Sequence, residues 1–367
     1  MKIKAAVVEE HGAPFTFKEL EIADPREDEI LVRVVSSGLC GTDEHARLGH
    51  IPVRTPIVLG HEGAGIVEKV GSAVTDIAVG DHVVMSFGAC FECKHCEEMG
   101  PYACDDWKKV NFGGRMLDGY TPLKTEDGEE VNDFFAQSSC ATYAVCKANQ
   151  AAVIDPDFDL EIAGPLACGI QTGCGIVMNT LKMQENPSPQ SFAVYGCGSV
   201  GMAALMAAKI CGADPIIAIG GSEKKLALAK ELGATHVINR KEVDNLEEAV
   251  RAICPQGVEN AVETSGNATM ALTMLHTGSF LGKCVNAGAS RLDSWHFPSE
   301  LGSKSLYGVS MGWSNPKTFI PYLAELYKEG KLPYDKIITK FPFSEINEVA
   351  KASAAGEIIK GVIIMDK

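Results

Sequence analysis

The first part of the chain, up to about residue 150, alternates short apolar runs with glycines and charged turns. Runs rich in valine or isoleucine lie at Ala5–Glu9, Ile30–Val35, Gly65–Val70 and Asp81–Met85. Short runs of this composition between turn residues are typical of β-strands. The pattern therefore predicts an irregular, mostly β domain.

The pattern changes after about residue 190. An apolar strand at Ser191–Tyr195 precedes an amphipathic helix over Ser199–Cys211, and a strand at Pro215–Ile219 precedes a helix over Ser222–Leu232. Further strands are predicted at Val237–Asn239, Asn260–Thr264, Lys283–Asn286 and Gly361–Met365, and a further helix at Pro316–Glu329. Alternating strands and helices predict an α/β domain in which helices cover a doubly wound parallel sheet.

The chain is long enough for two domains, because it has 367 residues of which 46% are hydrophobic. We place the sheet-and-helix domain at residues 169–309. The mostly β domain then comprises residues 1–168 and 310–367, so that the tail returns to the first domain.

Charge and cysteine content exclude several classes of function. A formal net charge of −15 opposes binding to nucleic acid and to anionic membranes. No apolar run reaches the ~18 residues of a membrane span, and the start Met1-Lys-Ile-Lys lacks a signal-length apolar stretch. Thirteen cysteines without an export signal indicate reduced thiols. We therefore expect a cytoplasmic protein with neither a nucleic acid nor a membrane as partner.

Four cysteines form a compact cluster in the run Cys90-Phe-Glu-Cys93-Lys-His-Cys96-Glu-Glu-Met-Gly-Pro-Tyr-Ala-Cys104. Zinc accepts four thiolates in a tetrahedron, and short Cys-x2-Cys steps let one stretch of backbone supply several of them. The spacing predicts a structural zinc site. Scattered free or disulfide-bonded cysteines are the weaker alternative, and the acidic charge opposes a nucleic-acid zinc knuckle.

A glycine pattern, Gly196-Cys-Gly198-Ser-Val200-Gly201, follows a predicted apolar strand and opens a predicted helix. Its glycines permit a tight turn and close approach of the backbone, and the helix N-terminus would face a pyrophosphate. This context predicts a dinucleotide site. A glycine-rich turn without a ligand is the alternative.

The expected ribose-binding carboxylate, about 20 residues after the glycine pattern, is missing at the end of the second strand. Gly220 would leave room for a 2′-phosphate, Ser222 can donate to it, and Lys224 or Lys225 can supply positive charge. We therefore favour NADP(H). NAD(H) stays possible, because Glu223 could bind the ribose a few positions later.

A second metal constellation is spread through the chain: Cys40, the pair His61-Glu62, and Cys168, each beside glycines. Singly these residues are weak signals. In their order and spacing, and together with the glycine pattern and the four cysteines, they resemble the zinc-dependent medium-chain alcohol dehydrogenases over essentially the whole chain, with most likeness to the bacterial aryl-alcohol (benzyl-alcohol) branch. The resemblance implies a GroES-like catalytic domain joined to a Rossmann domain.

The resemblance also implies a catalytic zinc held by Cys40, His61 and Cys168, with a fourth position open to water or substrate. Glu62 would lie just behind the metal, and Asp43 would orient His61. Two thiolates and a neutral imidazole carry no net charge with Zn²⁺, which leaves a Lewis acid suited to lower the pKa of an alcohol. With the four-cysteine cluster, we expect two zinc ions per chain.

Four further roles follow from the resemblance. Thr42 would take the alcohol proton and pass it through the nicotinamide ribose to His45 at the surface, since a hydroxyl both donates and accepts and histidine titrates near neutral pH. Thr172 would touch the nicotinamide. Lys360 would reach the pyrophosphate, where many relatives carry arginine.

The substrate pocket departs from the family pattern at Ser86, where many relatives place a bulky aromatic residue. A small residue there would admit an aromatic substrate, unless Trp107, Phe112, Tyr120 or Trp295 refills the space. Residues 107–135 are rich in glycines and charges. We interpret this stretch as a solvated flap, and a cover over the substrate entrance is the alternative.

These features predict a dehydrogenase that interconverts a primary alcohol, aryl or allylic, with its aldehyde. Two alternatives stay open. One is an NAD-linked enzyme of the same fold acting on a polyol or on a thiol adduct of formaldehyde. The other is a non-catalytic dinucleotide or zinc sensor, which would not need Thr42 and His45. The family resemblance implies a homodimer or homotetramer.

Overall fold

The computed structural model describes residues 1–288 and 299–366 and divides them into two compact units. The first unit contains Met1–Cys168, Ser314–Glu325 and Asp335–Lys367, and the second contains Gly169–Trp313 and Leu326–Tyr334. The boundary predicted after residue 168 coincides with the first division between the units. The predicted return to the first unit at residue 310 lies slightly before the observed return at Ser314. The short excursion of Leu326–Tyr334 into the second unit had no signal in the sequence pattern.

The first unit is built mainly of strands. These are β1 (Lys2–Val8), β2 (Thr16–Ile22), β3 (Glu29–Leu39), β4 (Ile57–Val58), β5 (Gly63–Val70), β6 (His82–Met85), β7 (Leu123–Lys124), β8 (Glu130–Val131), β9 (Tyr143–Lys147), β10 (Ala151–Ile154), β17 (Ile338–Pro342) and β18 (Lys360–Ile364). Among the described residues one sheet has the order β4-β1-β2-β7-β8, and another has the order β10-β6-β5-β3-β18-β17 with β9 also on β3.

The long strand β3 organises the second of these sheets. Its first half pairs with β9 and its last residues pair with β18 near the chain end, while β5 runs antiparallel to most of its length. The tail therefore returns to the β-rich unit. Helices of this unit are α1 (Gly41–Arg47), α2 (Lys94–Glu98), α3 (Trp107–Phe112), α4 (Leu160–Ala163), most of α10 (Pro316–Lys328) and α11 (Ile346–Ala354).

The second unit is a parallel sheet with the order β13-β12-β11-β14-β15-β16 among the described residues. Its strands are β11 (Phe192–Tyr195), β12 (Ile216–Gly220), β13 (His236–Asn239), β14 (Val258–Glu263), β15 (Gly278–Asn286) and β16 (Ser305–Gly308). Its helices are α5 (Gly169–Gly175), α6 (Ser199–Ile210), α7 (Glu223–Leu232), α8 (Leu246–Ile253) and α9 (Ala268–Thr277). The predicted alternation of strands and helices is confirmed. Such an alternation is expected for buried apolar strands, because helices then cover the faces of a parallel sheet.

Shorter segments complete the chain. They are 3₁₀ turns at Pro101–Ala103, Ala148–Gln150, Gly164–Ala167, Met183–Glu185, Met311–Trp313, Tyr334–Ile337 and Phe343–Glu345, and a π-helical segment at Ile176–Thr180. Within the described ranges no single helix has the length and apolar character of a membrane span; one bent pair, Leu160–Ala167 with Gly169–Glu185, meets that test by length and composition alone.

Candidate active site

The residues predicted to hold the catalytic metal come together in the first unit. Cys40 follows β3 and is the N-cap of α1, His61 and Glu62 lie in the turn before β5, and Cys168 follows the 3₁₀ turn Gly164–Ala167. One potential ligand atom from each of Cys40, His61, Glu62 and Cys168 lies within 4.8 Å of the others. Segments far apart in sequence therefore converge on one point.

Asp43 fixes this cluster from behind. Its Oδ1 accepts hydrogen bonds from Gly60 N and His61 Nδ1, both at 3.0 Å, and its Oδ2 accepts one from Cys40 N at 2.9 Å. Because Nδ1 is engaged, Nε2 is the nitrogen of His61 that can bind a metal. His61 Nε2 is buried and has no hydrogen-bond partner among the described residues. An orphaned imidazole nitrogen beside two thiols is a donor set that fits zinc.

The two thiols of the cluster differ in acidity. A hydrogen bond from Cys168 holds the pKa of Cys40 well below its usual value, while that bond and burial raise the pKa of Cys168. Thr42 Oγ1 lies 3.8 Å from Cys40 Sγ, so the hydroxyl predicted to begin the proton relay lies beside the cluster.

Glu62 forms a buried ion pair with Lys360, whose Nζ lies 2.7 Å from Oε1 and 3.0 Å from Oε2. Burial raises the pKa of Glu62 to about 7, against the opposing charge of Lys360. Burial lowers the pKa of Lys360, but the charges of Glu62 and Cys40 raise it by more. Gly38 gives Glu62 its space, because a Cβ there would lie 2.0 Å from Glu62 Oε2. The pyrophosphate role of Lys360 stays a prediction.

An aromatic shell surrounds the imidazole of His61. Phe135 stacks on it with centroids 4.4 Å apart, and Phe134 meets it edge-on at 5.8 Å. Phe112 packs against Phe135 at 5.5 Å, and Trp107 against Phe135 at 6.0 Å. The backbone at Phe135 has a φ of 56°, a conformation that most side chains avoid.

The interpretation of residues 107–135 as a solvated flap was wrong. The stretch contains α3 and the paired strands β7 and β8, and both of its ends contribute rings to the shell around His61. Its charges favoured a solvated segment, but many of them, such as Lys108, Lys109 and Glu130, lie on the exposed sides of these elements. Phe134 and Phe135 were missed as site residues; the signal was two adjacent aromatic residues in an otherwise polar segment.

Ser86 is buried, and its hydroxyl donates to the carbonyl of Ala167 at 2.7 Å, next to Cys168. Of the residues considered as substitutes for a missing ring there, Trp107 and Phe112 belong to the aromatic shell. Tyr120 does not, since its ring lies under the guanidinium of Arg26 at 4.4 Å. Trp295 lies outside the described residues.

The four clustered cysteines converge on a second point in the first unit. One sulfur from each of Cys90, Cys93, Cys96 and Cys104 lies within 4.8 Å of the others. Backbone N–H groups point at the sulfurs: Cys93 N donates to Cys90 Sγ at 3.3 Å, and Cys90 N donates to Cys104 Sγ at 3.2 Å. Backbone donors of Asp105 and Cys96 lower the pKa of Cys93 to about 7. N–H donors stabilise thiolates, so this set also fits zinc.

The relay residue His45 lies exposed on α1, one turn after Thr42. Its Nδ1 lies 3.1 Å from Nδ1 of His50, a neighbour that the sequence reading missed. The pairing follows from the turn at Gly49, whose φ of +77° brings the chain back towards α1. A second imidazole at this distance can take over a proton from the first.

In the second unit, the glycine pattern forms the turn between β11 and α6. Gly196 has a φ of +115°, and a Cβ there would lie 2.8 Å from Thr264 Oγ1. A Cβ on Gly201 would lie 2.0 Å from the carbonyl oxygen of Gly196, so helix and strand pack too closely for a side chain. Nothing lies within 4 Å of a Cβ on Gly198, the N-cap of α6, and Val200 is half-buried in the first turn. This geometry fits a pyrophosphate at the helix N-terminus.

The residues predicted to sort NADP from NAD lie at the carboxyl end of β12. Gly220 ends the strand and Ser222 caps α7, while burial lowers the pKa of Lys225. Arg240 follows the adjacent parallel strand β13, and its Nε lies 3.2 Å from the Cβ position of Gly221. Arg240 was missed, although parallel neighbours end at the same edge of a sheet. Thr172 lies half-buried in α5 of the same unit, and its nicotinamide contact stays a prediction.

Comparisons with known proteins bear on the family to which the chain belongs. Residues 26–156 match the family described as "Alcohol dehydrogenase GroES-like domain" and residues 199–328 match "Zinc-binding dehydrogenase". The chain is 36% identical to a geraniol dehydrogenase of Castellaniella defragrans, over 98% of this chain and 97% of that protein. It is 42% identical to the crystal structure of benzyl alcohol dehydrogenase from Acinetobacter calcoaceticus, with a TM-score of 0.94 and 100% of both chains covered. These matches confirm the expected GroES-like and Rossmann fold, and the chain therefore belongs to the zinc-dependent medium-chain alcohol dehydrogenase family, whose members are oxidoreductases that act on alcohols.

Proposed function

We propose that this enzyme interconverts a primary aryl or allylic alcohol with its aldehyde and uses NADP(H) as the hydride carrier. The observation that carries the proposal is the cluster of Cys40, His61 and Cys168, with an unpartnered imidazole nitrogen, under a shell of aromatic rings. The named activities of the geraniol and benzyl alcohol dehydrogenases support the same substrate class.

The protein residues divide the chemistry among them. Zinc, when bound, supplies a Lewis acid that favours loss of the alcohol proton. Asp43 holds His61 in one tautomer and orientation, and Thr42 receives the proton and delivers it towards His45 and His50. The rings of Phe134 and Phe135, which are 0% and 2% exposed, keep water from one side of His61. A nicotinamide, when bound, would supply the hydride acceptor or donor.

The four-cysteine cluster is proposed to hold a second, structural zinc. The four cysteine sulfurs would fill all four coordination positions of that zinc ion, which leaves none for a substrate. Each chain would then carry two zinc ions with different roles.

The preference for NADP(H) rests on positive charge at the end of β12. Ser222 and Arg240 flank Gly220 and Gly221, and in the described part of the chain no carboxylate forms an ion pair with Arg240. A 2′-phosphate would meet a guanidinium fork, which suits phosphate geometry. Glu223 keeps NAD(H) as the alternative, because it begins α7 beside the same point.

The test is reduction of benzaldehyde and of a prenyl aldehyde by the zinc-loaded enzyme, with NADPH and with NADH in separate assays. We expect turnover of both aldehydes and a higher kcat/KM with NADPH. Arg240→Gln is expected to raise KM for NADPH about tenfold, since loss of one charged hydrogen bond costs about 1.5–3 kcal/mol in a buried site and less in an exposed one. Lys230→Gln, which removes an exposed positive charge from the last turn of α7, is the control. Absence of turnover with both aldehydes would refute the proposed substrate class. A clear preference for NADH would indicate that Glu223 binds the adenosine ribose.

Assembly into a homodimer or homotetramer and a cytoplasmic location complete the proposal. The adjacent side chains of Phe280 and Leu281 support assembly, because they are 79% and 68% exposed and contact with a second copy would bury them. Light scattering on the eluting protein, repeated for Phe280→Ser, tests this part.

A further inference from the structure

A groove of about 520 Å³ opens in the first unit between α3 and the segment after α1. Its lining combines an apolar floor with basic side chains: Ile51, Pro52, Phe112, His50, Lys108 and Lys109. Cavities of this size with a few polar groups among apolar ones are typical of small-molecule sites.

Two independent contacts connect this groove to the catalytic residues. Phe112 lines the groove and packs on Phe135, which stacks on the zinc ligand His61. On the opposite wall, His50 lines the groove and contacts His45 of the proton relay. The groove therefore lies between the aromatic shell and the relay.

The charge of the groove is unusual for this chain. Acidic residues outnumber basic ones by 48 to 33 overall, yet no carboxylate among residues 1–288 and 299–366 forms an ion pair with Lys108 or Lys109. The nearby Asp105 is engaged by His95 at 2.7 Å. Two lysines and a histidine thus line an apolar groove, and in the described part of the chain neither lysine is held in an ion pair.

We propose that this groove binds a carboxylate carried by the substrate, at the end remote from the reacting carbon. The proposal rests on the proposed function and narrows it to aryl or allylic alcohols and aldehydes that bear an acid group. The ring or prenyl body would lie along Phe112 and Ile51, and Lys108 and Lys109 would hold the carboxylate while the other end reaches the zinc ligands. Lysine suits this role because its flexible stem follows a carboxylate at several positions.

The kinetic test compares 4-formylbenzoate with its methyl ester, which has the same ring and a similar electron-withdrawing group but no charge. The measured quantity is the ratio of kcat/KM for the acid to that for the ester. We expect a ratio above one, which falls about tenfold in the double variant Lys108→Met/Lys109→Met and moves towards one at high salt, since salt screens exposed charges. Lys124→Met removes one exposed lysine outside the groove and is the control for loss of a surface charge elsewhere.

A binding test uses calorimetric titration with benzene-1,4-dicarboxylate and with benzoate, which needs no turnover. We expect the dicarboxylate to bind more tightly to the unmodified enzyme, and the advantage to disappear in the double variant but to persist in Lys124→Met. The proposal would be overturned if the acid-to-ester ratio of kcat/KM were the same in the unmodified enzyme, the double variant and Lys124→Met, or if the ester were preferred over the acid. Either result would leave the alcohol dehydrogenase function intact. If neither 4-formylbenzoate nor its methyl ester reacts, the proposed function fails together with the proposed carboxylate site.

Discussion

Replacing Asp43 by Asn tests whether this carboxylate orients His61 for the proposed catalytic zinc. The amide oxygen can still accept from Gly60 N and His61 Nδ1, but the amide nitrogen would then face the N–H of Cys40, where Oδ2 accepts at 2.9 Å. One backbone donor loses its acceptor and meets another donor, and leaving a buried donor unsatisfied costs about 1–3 kcal/mol. Loss of a partner that orients a metal-binding histidine typically lowers metal affinity by about 10–100-fold.

We therefore expect Asp43→Asn to release one zinc to a chromogenic chelator about 10–100-fold more readily than the unmodified enzyme, while the zinc of the four-cysteine cluster is retained. Urea unfolding of the zinc-free protein should show the loss of about 1–3 kcal/mol. Glu44→Gln is the control, because Glu44 lies next in α1 and pairs with Arg47 at 2.7 Å near the surface, where such pairs contribute at most about 1 kcal/mol. Equal zinc retention in the two variants would refute the reasoning.

Three further predictions follow from other contacts. His45→Gln should lower kcat by up to about 100-fold, because the proton loses its exit, and added imidazole should restore part of the rate; an unchanged and buffer-independent kcat would contradict the relay. Gly38→Ala should lower the free energy of unfolding in urea by about 1–3 kcal/mol through overpacking against Glu62, whereas Gly41→Ala, whose Cβ would have nothing within 4 Å, should have little effect; similar losses would contradict the packing argument. Burial raises the pKa of Asp133 to about 7, and both of its carboxylate oxygens lack a hydrogen-bond partner in the described structure. The folded state therefore binds more protons than the unfolded state between the ordinary pKa and about 7, so stability should fall with rising pH there by up to about 1.4 kcal/mol per unit. Urea unfolding across this range should show the fall in the unmodified protein and a flatter profile in Asp133→Asn, and parallel profiles would contradict it.

The sequence predicted the residues whose chemistry and spacing identify them without knowledge of the fold. The short Cys-x2-Cys steps from Cys90 to Cys104 place four sulfurs together through local backbone alone, and Gly196 to Gly201 form a turn whose geometry depends on adjacent residues. Strands β11 and β12 of the second unit were also predictable, because each is a short buried apolar run. Strand β16 was not predicted, because none of its residues Ser305–Gly308 is buried. In the first unit β2 was missed, because five of its seven residues Thr16–Ile22 are exposed and three are charged. The short strands β4, β7, β8, β9, β10 and β17 were missed as well.

The residues that the sequence did not predict are those whose role depends on which segments the fold brings together. Arg240 is a surface residue after an unremarkable strand until β13 pairs with β12, and only then does its guanidinium lie against Gly221. Phe135 has no periodic signal, and it reaches His61 because a strained backbone at its own position turns the ring inward. Zinc ligands are limited by donor chemistry to a few residue types, whereas almost any aromatic or basic residue can line a pocket. The chemical type of the enzyme was therefore readable from the sequence, whereas Phe135, Lys108 and Lys109, which we propose to act in substrate selection, could be located only once the fold was known.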